Sequence, residues 1–192
     1  MSSDSAIVRA IFDESTAAHQ RFVSERLDSI VAAADAITRS LSNAGQLLAF
    51  GNGGSAADAQ HLVAELVGRF ERERRAFAAV ALTADASVVT TIANDYGYEQ
   101  VFARQIAGLG RRGDIAFGIS TSGRSRNVEL ALDAARANGL VTIALTGRDG
   151  GPVGAKADVH VNVADSSTAR IQEVHRTILH ALCALVERRL TT

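Results

Sequence analysis

The run Leu47-Leu48-Ala49-Phe50-Gly51-Asn52-Gly53-Gly54-Ser55 passes from apolar residues straight into a glycine-rich turn. Glycine takes up strained backbone angles cheaply, so such a turn lets the main chain come close to a ligand. A helical pattern over 56–70 follows at once. A helix start aims free N–H groups and a positive dipole end at whatever lies before it, which suits an anion and above all a phosphate. Asn52, Gly53, Gly54 and Ser55 are the binding candidates of this loop. A second unit runs from Asp114 through Ile119 into Ser120-Thr121-Ser122-Gly123-Arg124-Ser125. Its hydroxyls at Ser120, Thr121, Ser122 and Ser125 surround one glycine, and hydroxyls with a helix N-terminus wrap a phosphate without a lysine. Any one of these serines also reads as turn or N-cap chemistry; the cluster after an apolar strand points to a ligand. Neither loop has the Gly-Lys-Ser/Thr of a Walker A motif or the spacing of a dinucleotide fingerprint. A sugar phosphate fits better than a nucleotide.

Asp58, His61, Glu65 and Arg69 follow the first loop in steps of three and four residues. At ~100° per residue they fall within about 80° of one another around a helix. A histidine and a glutamate at i,i+4 can share one metal ion or one substrate, although a solvated polar face has the same spacing. Ser55 and Asp58 also form an S-x-x-D pattern that resembles a capping box, giving Asp58 a structural role. Near the C-terminus, Gln172, His175 and His180 lie on an apolar helix. His175 points toward the apolar stripe and reads as structural. His180, taken alone, reads as a core histidine satisfied by one hydrogen bond. Gln172 and His180 are roughly 12 Å apart along a helix axis and ~80° apart around it. One ion reaches both only from between them; otherwise they come from different subunits. The complete site is therefore expected to use more than one chain.

The elements that position these residues follow from periodicity. Residues 4–43 read as helix, with His19 as a candidate break. Val23, Leu27, Ile30, Ala34, Ile37 and Leu41 make a heptad-like seam, suited to another helix or to the chain's own sheet. Strands are expected at 46–51, 77–82, 114–119, 141–145 and 159–163. Helices are expected at 56–70, 85–94, 98–109, 126–138 and 167–190. Apolar strands without strict alternation are covered on both faces. The pattern implies one α/β domain over residues 1–192, with ligands beyond the carboxyl ends of a parallel sheet. The last helix carries Ile171, Val174, Ile178, Leu182 and Leu185 on one side and Leu179 and Cys183 on another. That suggests a sheet below and a partner subunit above, hence a homo-oligomer. Pro152, beside Gly150 and Gly151, reads as a turn.

Composition narrows the class. Apolar residues make up 47% and the net charge is −1, which argues against a nucleic-acid binder driven by bulk positive charge. A single cysteine, Cys183, allows no internal disulfide and suits a reducing cytoplasm. The N-terminus lacks the pattern of a signal peptide, and no apolar run is long enough to span a membrane.

The chain resembles the sedoheptulose 7-phosphate (phosphoheptose) isomerases of the sugar-isomerase (SIS) superfamily. The resemblance rests on Gly51-Asn52-Gly53-Gly54-Ser55-Ala56-Ala57-Asp58-Ala59-Gln60-His61, Ala93-Asn94-Asp95-Tyr96-Gly97, Ser120-Thr121-Ser122-Gly123 and Arg170-Ile171-Gln172-Glu173, in that order. It implies a three-layer αβα sandwich with a five-stranded parallel, flavodoxin-like sheet, N-terminal helix packing between subunits, and a homotetramer with interfacial sites. It implies Glu65 as general base and His180 as general acid. It implies one zinc ion per subunit held by His61, Glu65, Gln172 and His180. Ser120, Thr121, Ser122 and Ser125 would hold phosphate, and Asn52, Gly53, Gly54, Ser55, Asn94, Asp95 and Gln172 would line the sugar, with Arg69 nearby. A glutamate that ligates a metal loses basicity, so the two roles of Glu65 must alternate or His180 must do more of the proton work. Some relatives have an acid three positions before the glutamine, where this chain has Ala169; Asp165 is the candidate replacement. Other SIS relatives are non-enzymatic tetramers that bind the replication initiator protein. The presence of both Glu65 and His180 speaks against that reading.

Overall fold

The computed structural model describes residues 3–191; residues 1, 2 and 192 of the single-domain reading lie outside them. In chain order the elements are α1 (Ser3–Ser42), β1 (Leu47–Gly51), α2 (Gly54–Val67), β2 (Ala79–Ala81), α3 (Ala86–Tyr96), a 3₁₀ turn (Tyr98–Gln100), α4 (Ala103–Leu109), β3 (Ile115–Ser120), α5 (Arg126–Ala137), β4 (Val141–Gly147), α6 (Gly151–Ala155), β5 (Val159–Val163) and α7 (Thr168–Leu190). The five strands are all parallel, in the order β2-β1-β3-β4-β5.

Alternate strand residues point to opposite faces, and each face carries its own core. Leu47, Ala49, Ile115, Phe117, Ile143 and Leu145 pack with α1, α2 and α7. Leu48, Phe50, Ala116 and Ala144 pack with α3, α4 and α5. β1 and β3 are buried along their whole length, which explains why their sequences are apolar runs rather than alternating ones. The strand order reverses between β1 and β3, whose ends pair Gly51 with Ile119. A crevice opens where adjacent strands send their connections to opposite faces. Both glycine and serine loops leave from it.

The structure amends several expectations. α1 is continuous through His19, whose ring bonds Ser15 O and Thr177 Oγ1, both at 2.8 Å. The proposed seam divides: Ile30, Ala34, Ile37 and Leu41 enter the chain's own core, while Val23 and Leu27 are about half exposed. Ile7, Val8, Ile11 and Phe12 on the first turns of α1 are also exposed, Phe12 at 69%. Both apolar sides of α7 are covered by the same chain, since Leu179 and Cys183 join the core with Ile171, Val174 and Ile178. α2 starts at Gly54 and stops at Val67, so Arg69 is not on the helix that carries Asp58, His61 and Glu65. The helix expected at 98–109 is a 3₁₀ turn followed by α4. Pro152 opens the short helix α6 after a left-handed Gly150, rather than marking a bare turn, because proline fits the first turn of a helix.

Candidate active site

The two loops face each other at the β1/β3 crevice. The N-cap residues, Gly53 of α2 and Ser125 of α5, give no side-chain cap to their helices. The Ser125 hydroxyl turns instead to Ser120 Oγ at 2.9 Å, with Ser122 Oγ 3.4 Å from the same atom. Three hydroxyls thus converge beside a helix start, and Thr121 follows Ser120 at the strand end. Gly123 must be glycine: its φ is +66°, and a Cβ there would lie 2.3 Å from the Gly150 carbonyl oxygen. Ser55 is buried inside the first turn of α2 and is not its N-cap. The S-x-x-D capping box therefore does not form, and Asp58 pairs with Arg176 of α7 at 2.7 Å.

Asn52 and Asn127 join the loops through a reciprocal amide pair, both bonds at 2.8 Å. Asn127 is buried, and its Oδ1 also accepts the Val128 N–H. Tyr98 donates to Asn52 Oδ1 at 3.0 Å. Both acceptor positions of the Asn52 carbonyl are thus used, and one of its two N–H groups remains for a ligand. Tyr98 ties the α3 end, with the exposed Asn94 and Asp95, to the crevice; Asn94 itself donates to Asp95 at 2.7 Å. Asn127, Tyr98 and Arg176 were not singled out from sequence. A polar residue two positions after Ser125, at the head of an amphipathic helix, was the available signal for Asn127.

α2 and α7 run side by side with matched polar residues. Gln172 lies over Gly54, since a Cβ on that glycine would meet Gln172 Nε2 at 2.3 Å. One turn on, Asp58 meets Arg176. A further turn on, His61 Nε2 is 2.9 Å from His180 Nε2 and 3.5 Å from Glu65 Oε1. Phe70 stacks on the outer side of His180, with ring centroids 5.7 Å apart. His61, Glu65 and His180 therefore share one half-buried cluster, while Gln172 lies about two turns nearer the loops, over Gly54. Burial, then Arg176, lowers the His61 pKa below the usual imidazole value, and Glu65 only partly offsets them. Burial raises the Asp58 carboxyl despite Arg176.

His175 is fully buried and bonds the Thr146 carbonyl at 2.9 Å. Burial pushes it down to about 4 against that bond, so it is a neutral structural group. Ala169 lines the groove with Gly54, Ala57, Asp58, Gln172 and Arg176. Asp165 does not stand in for the missing acid: its carboxylate holds Arg21 at 2.5 Å and the Ser167 N–H at 2.8 Å. Arg69 is exposed in the chain after α2. Among the described residues, no group of three or more His, Cys, Asp or Glu side chains is arranged to hold a metal ion.

Comparison with known proteins gives this geometry its family. A family model described as "SIS domain" matches residues 11–147. A phosphoheptose isomerase of Roseiflexus sp. is 47% identical over 192 residues, covering 98% of each chain. One of Geotalea daltonii is 55% identical over 161 residues, 84% of each. The chain belongs to the phosphoheptose isomerase family. Among solved structures, the phosphoheptose isomerase of Neisseria gonorrhoeae superposes with a TM-score of 0.92 at 46% identity, covering 97% of this chain and all of that one. The Francisella tularensis enzyme gives 0.93 at 37% identity, with 98% and 100% covered. These two structures match nearly the full length of the chain. None of these relatives lends support to a non-enzymatic initiator-binding role.

Proposed function

We propose that this chain interconverts D-sedoheptulose 7-phosphate and D-glycero-D-manno-heptose 7-phosphate by proton transfer through an ene-diol. The observation that carries the reading is the cluster of Glu65, His61 and His180, about two turns along α2 from the glycine loop. The phosphate would sit between the starts of α2 and α5, on Ser120, Thr121, Ser122 and Ser125. Asn52 would then offer its remaining N–H to an oxygen of the sugar, with Asn94 and Asp95 at the crevice mouth. His61 is seven residues from Gly54, about 10 Å along the helix axis, so the reactive end of the sugar must lie well away from its phosphate.

Moving a carbonyl between C1 and C2 requires a base to lift a proton from carbon and an acid to serve the oxygen. Glu65 is the carboxylate at the cluster, and it takes the carbon proton and returns it to the neighbouring carbon. His180 exchanges the proton on oxygen. Two imidazoles and a carboxylate are a donor set that zinc favours. Their present spacing is that of a hydrogen bond; two nitrogens on one tetrahedral zinc stand ~3.3 Å apart, so the pair must open slightly. His61, Glu65 and His180 would hold the ion, and a bound zinc would polarise the sugar carbonyl as a Lewis acid. Gln172 of the same chain stands about 12 Å from His180 along α7, so its place in the ligand set needs a second subunit.

A homotetramer with sites at its interfaces accounts for that distance. It also accounts for the exposed Ile7, Val8, Ile11 and Phe12 of α1. Among the described residues no helix is long and apolar enough to cross a membrane. The lone buried thiol of Cys183 suits a reducing cytoplasm. The test is incubation of the purified protein with sedoheptulose 7-phosphate, with and without a chelator. Formation of the aldose heptose phosphate supports the reading, and loss of turnover on chelation with recovery on added zinc supports the metal. No aldose product under either condition rejects the isomerase.

A further inference from the structure

We propose that Arg74 and Glu187 are positioning residues for the acid/base cluster, a buried ion pair that fixes Glu65 and Phe70 relative to His180. The inference rests on the isomerase reading for its kinetic consequence. The last carbonyls of a helix lack intrahelical partners. Arg74 Nη2 donates to Glu65 O at 2.7 Å, and Nη1 donates to Leu66 O at 2.9 Å and Gly68 O at 3.1 Å. Its Nε donates to Glu187 Oε1 at 3.1 Å. The guanidinium also lies over the Phe77 ring, 4.0 Å from the centroid. Both side chains of the pair are only 3% exposed.

Glu187 completes the clasp from α7. Its Oε1 accepts the Phe70 N–H at 3.2 Å, and its Oε2 accepts those of Glu71 and Arg72 at 2.9 and 3.0 Å. A buried ion pair is tolerated when its remaining hydrogen-bonding positions are filled, and here four backbone carbonyls and three backbone N–H groups fill most of them. One member therefore grips the backbone of Glu65. The other grips the backbone of Phe70, whose ring packs on His180. Glu187 follows His180 by seven residues on the same helix. The pair thus spans the two helices that carry the base and the acid, on the side away from the phosphate loops. A lysine could not replace Arg74, because only the planar guanidinium reaches a carboxylate and several carbonyls at once.

The test uses the full-length protein carrying Arg74→Lys or Glu187→Gln. A misplacement of about 1 Å costs on the order of 100-fold in rate, so kcat is expected to fall roughly 10- to 100-fold. KM for the sugar phosphate is expected to stay within about threefold, because the loops at the other end are untouched. Nitrogen-15 histidine resonances of His61 and His180 are expected to move in both variants. A pair that only stabilises the fold would lower the melting temperature and leave kcat per folded protein and those resonances unchanged; that result overturns the proposal. A raised KM with unchanged kcat overturns it as well. Should Glu187→Gln fail to fold, Arg74→Lys alone decides. If the unsubstituted protein shows no turnover, the isomerase reading falls, and the histidine resonances still judge the clasp: unmoved signals reject it and displaced signals uphold it.

Discussion

His61 and His180 stand with their Nε2 atoms 2.9 Å apart, one imidazole from each of two parallel helices. At that distance one nitrogen carries the hydrogen and the other accepts it, so two imidazolium ions are incompatible with the contact. Burial and the nearby Arg176 keep His61 neutral by lowering its pKa below the ordinary value.

Replacing Arg176 by methionine is expected to raise the His61 pKa, since a cation that disfavours imidazolium is removed. The protonated form of His61 then builds up at higher pH than in the unsubstituted chain. The acid limb of the kcat/KM profile should move upward in pH. An unmoved acid limb would show that His61 does not titrate in the step observed.

Glu65→Gln keeps the side-chain shape and removes the proton acceptor. Turnover is expected to fall by about 10²- to 10⁴-fold, the range of a general base. Sugar-phosphate affinity, measured by calorimetry, should change little, because Glu65 lies about three turns along α2 from the phosphate loops. A variant that keeps most of its kcat would remove Glu65 from the chemistry.

Gly53 and Gly123 both have positive φ, at +55° and +66°, yet their surroundings differ. A Cβ at Gly53 meets nothing within 4 Å, so Gly53→Ala costs backbone strain alone, of order 1–3 kcal/mol. A Cβ at Gly123 would strike the backbone of Gly150 and Gly151, and the Ser120–Ser125 loop would have to shift as a unit. KM for the sugar phosphate is expected to rise more than tenfold in Gly123→Ala and much less in Gly53→Ala. Equal KM values in the two variants would detach the serine loop from phosphate binding.

Much of this was legible in the residues. Continuous apolar runs at Leu47–Phe50 and Ile115–Ile119 announced strands covered on both faces. The four-residue spacing of His61 and Glu65 placed them together because i,i+4 residues lie on one face of a helix. What stayed hidden depends on tertiary contact. No local pattern tells that Asn127 pairs with Asn52 from 75 residues away, or that Arg74 folds back onto the last carbonyls of α2. The seam of α1 misled in part because a heptad spacing does not say which partner it meets. Its C-terminal half found the chain's own core, and Val23 and Leu27 did not.

Glu187 gives the fold a distinctive acid sensitivity. Burial pushes its carboxyl up, but the N–H groups of Glu71, Arg72 and Phe70 with Arg74 outweigh that and hold the pKa below the ordinary carboxylate value. An unfolded glutamate titrates near ~4.3. Because the folded value is lower, the native state prefers the ionised form. The resulting stability is fully present above the unfolded pKa and is lost as pH falls through the folded one. Glutamine at this position cannot ionise and keeps one acceptor oxygen. The denaturant midpoint of the unsubstituted protein should therefore exceed that of Glu187→Gln by a constant amount from pH 7 to about pH 5. The gap should close progressively below ~4.3 as the carboxylate takes up its proton. A gap that persists unchanged well below that pH would mean that shape and packing, rather than the charge of Glu187, hold the segment after α2 in place.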